Sequence, residues 1–295
     1  MSRYAAAGVS LQTATDVVGR LRAAVESTGA GSFGGFAGLH PLDGDRLLAA
    51  STDGVGTKLI LARARGRLHD CGADLAAHCI NDVAACGAEP LMLLDYVAAG
   101  EIVLDEVAEL VEGAAAVCRA AGVALVGGET AELPGIYRDG ELDFAGTCVG
   151  VVDRTQVVDG SGIASGDSVI GFASAGAHAN GFTLIRRVLE QEDYDSDDLL
   201  APTRLYLDVA RSLRGRALGF AHVTGGGIAG NLARVLPAGV RAEIDWNAWE
   251  RPQVFGWLAR HVDEDELRRV FNLGIGWCAV VRDPQPDELV IGRIR

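Results

Sequence analysis

Three times in this 295-residue chain a short apolar run of strand length leads straight into a glycine-bearing turn. Arg46 to Ser51 enters Asp53-Gly-Val-Gly56, Val123 to Val126 enters Gly127-Gly-Glu129, and Ser168 to Ala173 enters the turn Ser174 to Gly181. Segments of helical periodicity stand between them. Leu11, Ala14, Val17, Val18, Leu21, Ala24 and Val25 share one face of a helix over 11–28 behind a Ser10 cap, and Leu104 to Ala121 forms a second amphipathic helix stopped by Gly122. Asp74 to Cys86 and segments near 181–190 and 203–213 read as further helices, with strands at Leu91–Ala98, Phe144–Val152 and Ile275–Val281. Strands interleaved with helices bury their apolar faces in layers, so the predicted class is α/β (α+β). The turn-rich stretch Asp159 to Asp167 separates two such units, which puts a boundary near residue 160 and gives domains 1–160 and 161–295.

Charge and composition narrow the function. A formal charge of −14 argues against a nucleic-acid partner, because phosphate backbones are held by surfaces rich in Lys and Arg. No stretch approaches the roughly 20 apolar residues that cross a bilayer, and the start does not resemble a secretory leader. A cytoplasmic protein with no membrane partner is therefore expected. Cys71, Cys79, Cys86, Cys118, Cys148 and Cys278 include no Cys-x-x-Cys pair and read as reduced structural thiols. Every cationic side chain but one is arginine; the exception is Lys58.

That lysine closes Asp53-Gly-Val-Gly-Thr-Lys58, which reads as a phosphate turn. Glycines let the backbone approach a polyphosphate, the Asp53 carboxylate suits Mg²⁺, and a compact ammonium suits phosphate oxygens. Thr57 stands where a Walker loop needs glycine before its lysine, which disfavours that class. The glycine-rich loop 31–38 lacks the dinucleotide spacing, and a flexible cover for nucleotide phosphates and a plain linker fit it equally. On the predicted helix Asp74, His78, Asn81 and Asp82 share one face, suited either to Mg²⁺ or to solvent. Glu129 adds a carboxylate in a turn. His178 and Asn180 beside a helix start suit a phosphate monoester, with glycine turn chemistry as the alternative.

In order along the chain stand Ser51-Thr-Asp-Gly-Val-Gly-Thr-Lys-Leu59, Cys79-Ile-Asn-Asp82, Gly87-Ala-Glu-Pro-Leu91, Leu94-Asp-Tyr96, Val126-Gly-Gly-Glu-Thr-Ala-Glu-Leu-Pro-Gly135, His178-Ala-Asn-Gly181, Leu200-Ala-Pro-Thr-Arg204, His222-Val-Thr-Gly-Gly-Gly227 and Phe271-Asn272. Together they resemble the phosphoribosylformylglycinamidine cyclo-ligases, or aminoimidazole ribonucleotide synthetases. The resemblance implies two α/β domains, the first lending its sheet to a β-barrel that spans a homodimer. It also implies ATP-dependent closure of formylglycinamidine ribonucleotide to aminoimidazole ribonucleotide in purine biosynthesis. Carried over residue by residue, it assigns Asp53, Asp82 and Glu129 to Mg²⁺, and Gly54, Gly56, Thr57 and Lys58 with Gly34 and Gly35 to ATP. His178, Asn180 and Gly181 take the substrate phosphate, Thr130 and Arg204 line the substrate pocket, and Asp95 and His222 are catalytic candidates, His222 as proton carrier. A catalytically silent paralogue, kept as a nucleotide-binding or dimer-scaffold module, is the alternative.

The sequence departs from that pattern in places. Ala177 and Ala179 replace Pro and Ser, which removes one hydroxyl donor. Only residues 282–288 join the last two strands, too few for the helix found there in the family, so a barer sheet face is expected in the second domain. No cysteine lies between Gly29 and Gly38 or near the C-terminus, unlike selenophosphate synthetases and hydrogenase-maturation carbamoyl dehydratases.

Overall fold

In the computed structural model, which describes residues 8, 11–29 and 35–295, β5 (Leu142–Asp153) shows how the first sheet is organised. Phe144, Gly146, Cys148, Gly150 and Val152 are buried while Ala145, Thr147, Val149 and Val151 between them are half-buried, the period-two pattern of a strand with one covered face. β5 pairs antiparallel with β2 (Arg46–Gly54) and β3 (Glu89–Ala99). With β1 (Gly38–Asp43) beside β2 and β4 (Ala124–Glu132) beside β3, the order is β1-β2-β5-β3-β4. Only β3 and β4 run parallel, and such a pair needs a crossover. α4 (Leu104–Ala121) supplies it and ends at Gly122, whose φ of 72° lets the Val123 amide donate back to the Cys118 carbonyl. α1 (Leu11–Glu26) forms where the spacing predicts, with Val17, Val18 and Leu21 exposed; its Ser10 cap lies outside the described residues.

The covered face carries α4 and α3 (Leu68–Ala85). All of α3 except His69 and Asp70 is buried, because it meets β2, β5 and α4 on one side and β7 (Gly219–His222) and α7 (Leu207–Ser212) on the other. The side chains Asp74, His78, Asn81 and Asp82 are thus interior; the solvated-face reading fails. Glycine brings α3 and α4 together: a Cβ on Gly72 would lie 2.0 Å from the Leu110 carbonyl oxygen, and one on Gly113 1.9 Å from that of His69. The other face of the sheet is open, with Leu94, Tyr96 and Val126 exposed.

The second sheet follows the order β7-β9-β6-β10-β8, where β6 is Ser168–Ala173, β8 Ala242–Ile244, β9 Ile275–Val281 and β10 Val290–Ile294; its pairs are antiparallel. Among the described residues neither sheet closes on itself. Every residue of β9 is buried, whereas the strands at the other end of this sheet are partly exposed: none of β8 is fully buried, and Val290 and Arg293 of β10 are not buried. Burial of side chains such as Phe220 and Ile275 contributes about 1.5–3 kcal/mol each. Short helices α5 (Phe182–Leu189), α6 (Asp197–Leu200), α8 (Gly227–Leu232), α9 (Gln253–Leu258) and α10 (Glu264–Val270) complete this half, and α2 (Lys58–Ala64) links β2 to α3.

Candidate active site

Ser51 and Asp53 lie on the inward side of β2, facing α3, and this brings Asp53 to Asp82 near the end of that helix. The two carboxyl groups are close enough that each affects the other's ionisation. Burial chiefly, and then the neighbouring Asp82, pushes Asp53 up to about 6; burial pushes Asp82 up to about 6 against the opposing pull of Arg234 and His78. Ser51 Oγ donates to Asp82 Oδ2 at 3.3 Å.

His222, at the end of β7, holds the other Asp82 oxygen. Its Nδ1 lies 2.8 Å from Asp82 Oδ1, and its Nε2 lies 3.5 Å from Asn81 Nδ2. The Asn81 amide cannot turn round: its oxygen accepts the Tyr206 amide at 2.8 Å and its nitrogen donates to the Arg204 carbonyl at 2.8 Å. Nε2 of His222 is therefore an acceptor, and Nδ1 carries the proton given to Asp82. Burial lowers this ring to about 4, so it is neutral. Fully buried and with its lone pair facing Asn81, His222 fixes Asp82 and is not placed to carry a proton to a ligand. His78 packs edge-on against it, ring centroids 5.2 Å apart.

The lysine points elsewhere. As the first residue of α2, Lys58 turns inward between the two halves, and its ammonium meets Asp74 Oδ2 at 2.6 Å in an ion pair of oblique geometry. It also donates to the carbonyls of His178 at 2.8 Å and Ala201 at 3.2 Å. Lys58 and Asp74 are wholly buried, and Asp74 Oδ1 accepts the Thr203 amide and hydroxyl. Wholly buried among these partners, the ammonium does not face a phosphate site in this structure, unlike the expected role.

The substrate-phosphate turn is closed too. His178 is wholly buried at φ 59°, its Nε2 accepts the Ala175 amide at 3.2 Å, and its Nδ1 has no partner among the described residues. Burial, with the nearby His78 and His222 rings, holds it well below the usual histidine range. Asn180 Oδ1 accepts the Gly225 amide at 3.0 Å, which ties this turn to Thr224–Gly227. Gly181, at φ 77°, lies against the Phe271 ring, leaving no room for a Cβ. These three residues brace the second half instead of facing an open pocket.

The remaining residues are spread across the first sheet. Asp53 pairs with Gly146, Gly146 with Asp95, and Asp95 with Gly128, so Glu129 sits three strands from Asp53, about 14 Å at the usual strand spacing. It lies in β4 rather than a turn and is exposed, so the three expected Mg²⁺ carboxylates do not converge. Asp95 is half-buried with its carboxylate against Gly128, and burial raises it. The Thr130 and Arg204 side chains are exposed. Gly56 takes φ 72° in the turn, the Val55 amide pins that turn to Phe144, and Thr57 Oγ1 meets Thr183 Oγ1 at 3.0 Å. Gly54 is exposed beside it. Gly34 lies outside the described residues. Gly35 accepts a hydrogen bond at 2.8 Å from Arg234, whose guanidinium stacks 3.9 Å from the Phe36 ring centroid. No motif pointed to Arg234, since it follows the glycine turn at 224–227 by seven residues and acts on a loop from the other half.

Comparison with known proteins gives the class first. The architecture is shared with the thiamine monophosphate kinase of Aquifex aeolicus at TM-score 0.69 and 17% identity, over 97% of this chain and 96% of that one. It is shared also with a hydrogenase maturation protein of E. coli at TM-score 0.62 and 21% identity, over 84% and 79%. At such identities the likeness is one of fold. Models of the AIR synthase related protein match residues 34–152 for its N-terminal domain and 164–290 for its C-terminal domain. Phosphoribosylformylglycinamidine cyclo-ligases of Synechococcus sp. (strain CC9605) and Sorangium cellulosum (strain So ce56) are each 46% identical to it, over 97% of this chain and 90% of theirs. The chain belongs to the phosphoribosylformylglycinamidine cyclo-ligase family.

Proposed function

We propose that this protein uses ATP to close formylglycinamidine ribonucleotide into aminoimidazole ribonucleotide, releasing ADP and phosphate. The observation that carries this reading is near-full-length identity of 43–46% to proteins of that name. The neighbouring carboxyls of half-buried Asp53 and buried Asp82, beside a glycine turn, support its ATP half. The γ-phosphoryl group passes to the formamide oxygen, converting a poor leaving group into phosphate. An amidine nitrogen attacks the same carbon, the carbon–oxygen bond breaks, and the nitrogen gives up a proton. The chain contributes positioning and charge neutralisation.

Asp53 and Asp82 suit Mg²⁺, since they are hard oxygen donors held close together, and burial raises both. Among the described residues no group of three metal-ligating side chains converges, which fits an ion that takes one or two carboxylates and completes its shell with water and nucleotide phosphate. Bound there, Mg²⁺ supplies neutralisation of phosphate charge; Ser51 and His222 hold Asp82 in place for it.

We place a domain boundary near residue 160 and the protein in the cytoplasm. We assign the open face of the first sheet, with Leu94, Tyr96 and Val126, to a homodimer; a monomeric mass in sedimentation would oppose that. The test of function is direct: purified protein with ATP, Mg²⁺ and formylglycinamidine ribonucleotide forms aminoimidazole ribonucleotide and phosphate in equal amounts. Nucleotide binding without product would instead make it a silent scaffold.

A further inference from the structure

Where α2 meets α5, beside the Thr57–Thr183 contact, lies a cavity of 780 Å³, within the range of small-molecule sites. Its apolar wall is Ile60 on α2 with Tyr137 and Leu142 before and at the start of β5. Ile60 is 52% exposed, so this wall is available to cover. Two cations reach the cavity. Arg63 is committed to Glu106 at 2.6 Å and to the Gly140 carbonyl, whereas half-buried Arg186 has no carboxylate within ion-pair distance among the described residues. Arg186 lies three residues after Thr183, so both project from the same face of α5. An unpaired guanidinium beside an apolar cavity is a site for an anion with an apolar or ring-shaped body. Glu141 and Asp143 also line the space. Each accepts one amide of its own loop, from Arg138 and Phe144, and each keeps lone pairs for hydroxyl or N–H donors. Gly56 and Thr57 are shared between this cavity and the turn that carries Asp53, so an occupant borders the acidic pair's turn.

We propose that this cavity seats a phosphorylated ribonucleotide, with its ring body against Ile60 and Tyr137, its hydroxyl or amide donors toward Glu141 and Asp143, and a phosphate on Arg186. The inference rests on the ligase reading only for its choice of probes. Two sources share this chemistry, ATP and formylglycinamidine ribonucleotide, and calorimetric titration with the ribonucleotide and with a non-hydrolysable ATP analogue plus Mg²⁺ separates them. Arg186→Ala should weaken one of the two at least tenfold and leave the other within twofold, Arg186→Lys should recover part of the loss, and Ile60→Asp should weaken the same ligand. Thermal unfolding checks that the variants are folded. If folded Arg186→Ala binds both ligands as the wild type does, or loses both equally, the assignment is wrong. A wild type that shows the Arg186 dependence but forms no product would sink the ligase reading and leave the cavity assignment standing.

Discussion

The Lys58 ammonium donates to the His178 and Ala201 carbonyls and pairs in charge with Asp74, all within the seam between the two halves. Removing the cation leaves Asp74 buried with only the Thr203 amide and hydroxyl as partners. Breaking a buried pair from one side costs about 3–5 kcal/mol, whereas replacing both members by apolar groups is often neutral. Lys58→Met should therefore lower the urea midpoint sharply, and the double variant Lys58→Met with Asp74→Leu should recover most of the loss. A single variant as stable as the wild type would contradict the buried pair. The same comparison separates this bracing role from a phosphate ligand, which would lose nucleotide affinity without losing stability.

At the scale of elements, the crossing of α3 and α4 depends on two residues without side chains. A methyl group on Gly72 or Gly113 would meet backbone of the opposing helix, which cannot rotate aside as a side chain can. Gly72→Ala should destabilise by at least the roughly 1–3 kcal/mol typical of overpacking. Gly230→Ala on α8, with nothing near its added carbon, should instead gain about 0.5–1 kcal/mol from helix propensity. Opposite shifts in the two melting temperatures are the expected reading, and equal shifts would show that the helices are not held so closely. β6, β9 and α4 were legible to the residue because long apolar runs and a terminal glycine carry their own boundaries. β4 was not: it continues through Gly127-Gly128, poor strand residues, because the Asp95 carboxylate occupies the space of a Gly128 side chain. The meeting of Asp53 with Asp82 follows from a strand end and a helix face. The inward turn of Lys58 does not, because His178 and Ala201, which receive its protons, arrive from more than a hundred residues away.

Over the whole molecule, the seam holds two sets of titratable groups that work against each other as the pH falls. His78, His178 and His222 are buried and neutral, so the unfolded chain protonates them first below about 6.5. Folded-state stability present above that pH is lost as it falls toward the depressed folded values, about 4 for His222. Asp53 and Asp82 behave oppositely. Raised to about 6, they take protons in the folded state before the unfolded chain does, so their ionisation penalty, full above pH 6, is relieved toward 4. Near pH 5 the unfolded chain takes up protons at the histidines while the folded chain takes them up at the carboxyls, so the two sets oppose each other in the slope of stability against pH. Asp53→Asn with Asp82→Asn removes the opposing uptake. That variant should be more stable than the wild type at pH 8, by an amount that shrinks toward pH 4, and between pH 6 and 5 its stability should fall more steeply than that of the wild type. Urea unfolding at half-unit intervals measures both slopes, and groups elsewhere cancel between the two proteins. Equal slopes would mean that Asp53 and Asp82 are ionised throughout this range, and that the pair does not need a cation to share its site.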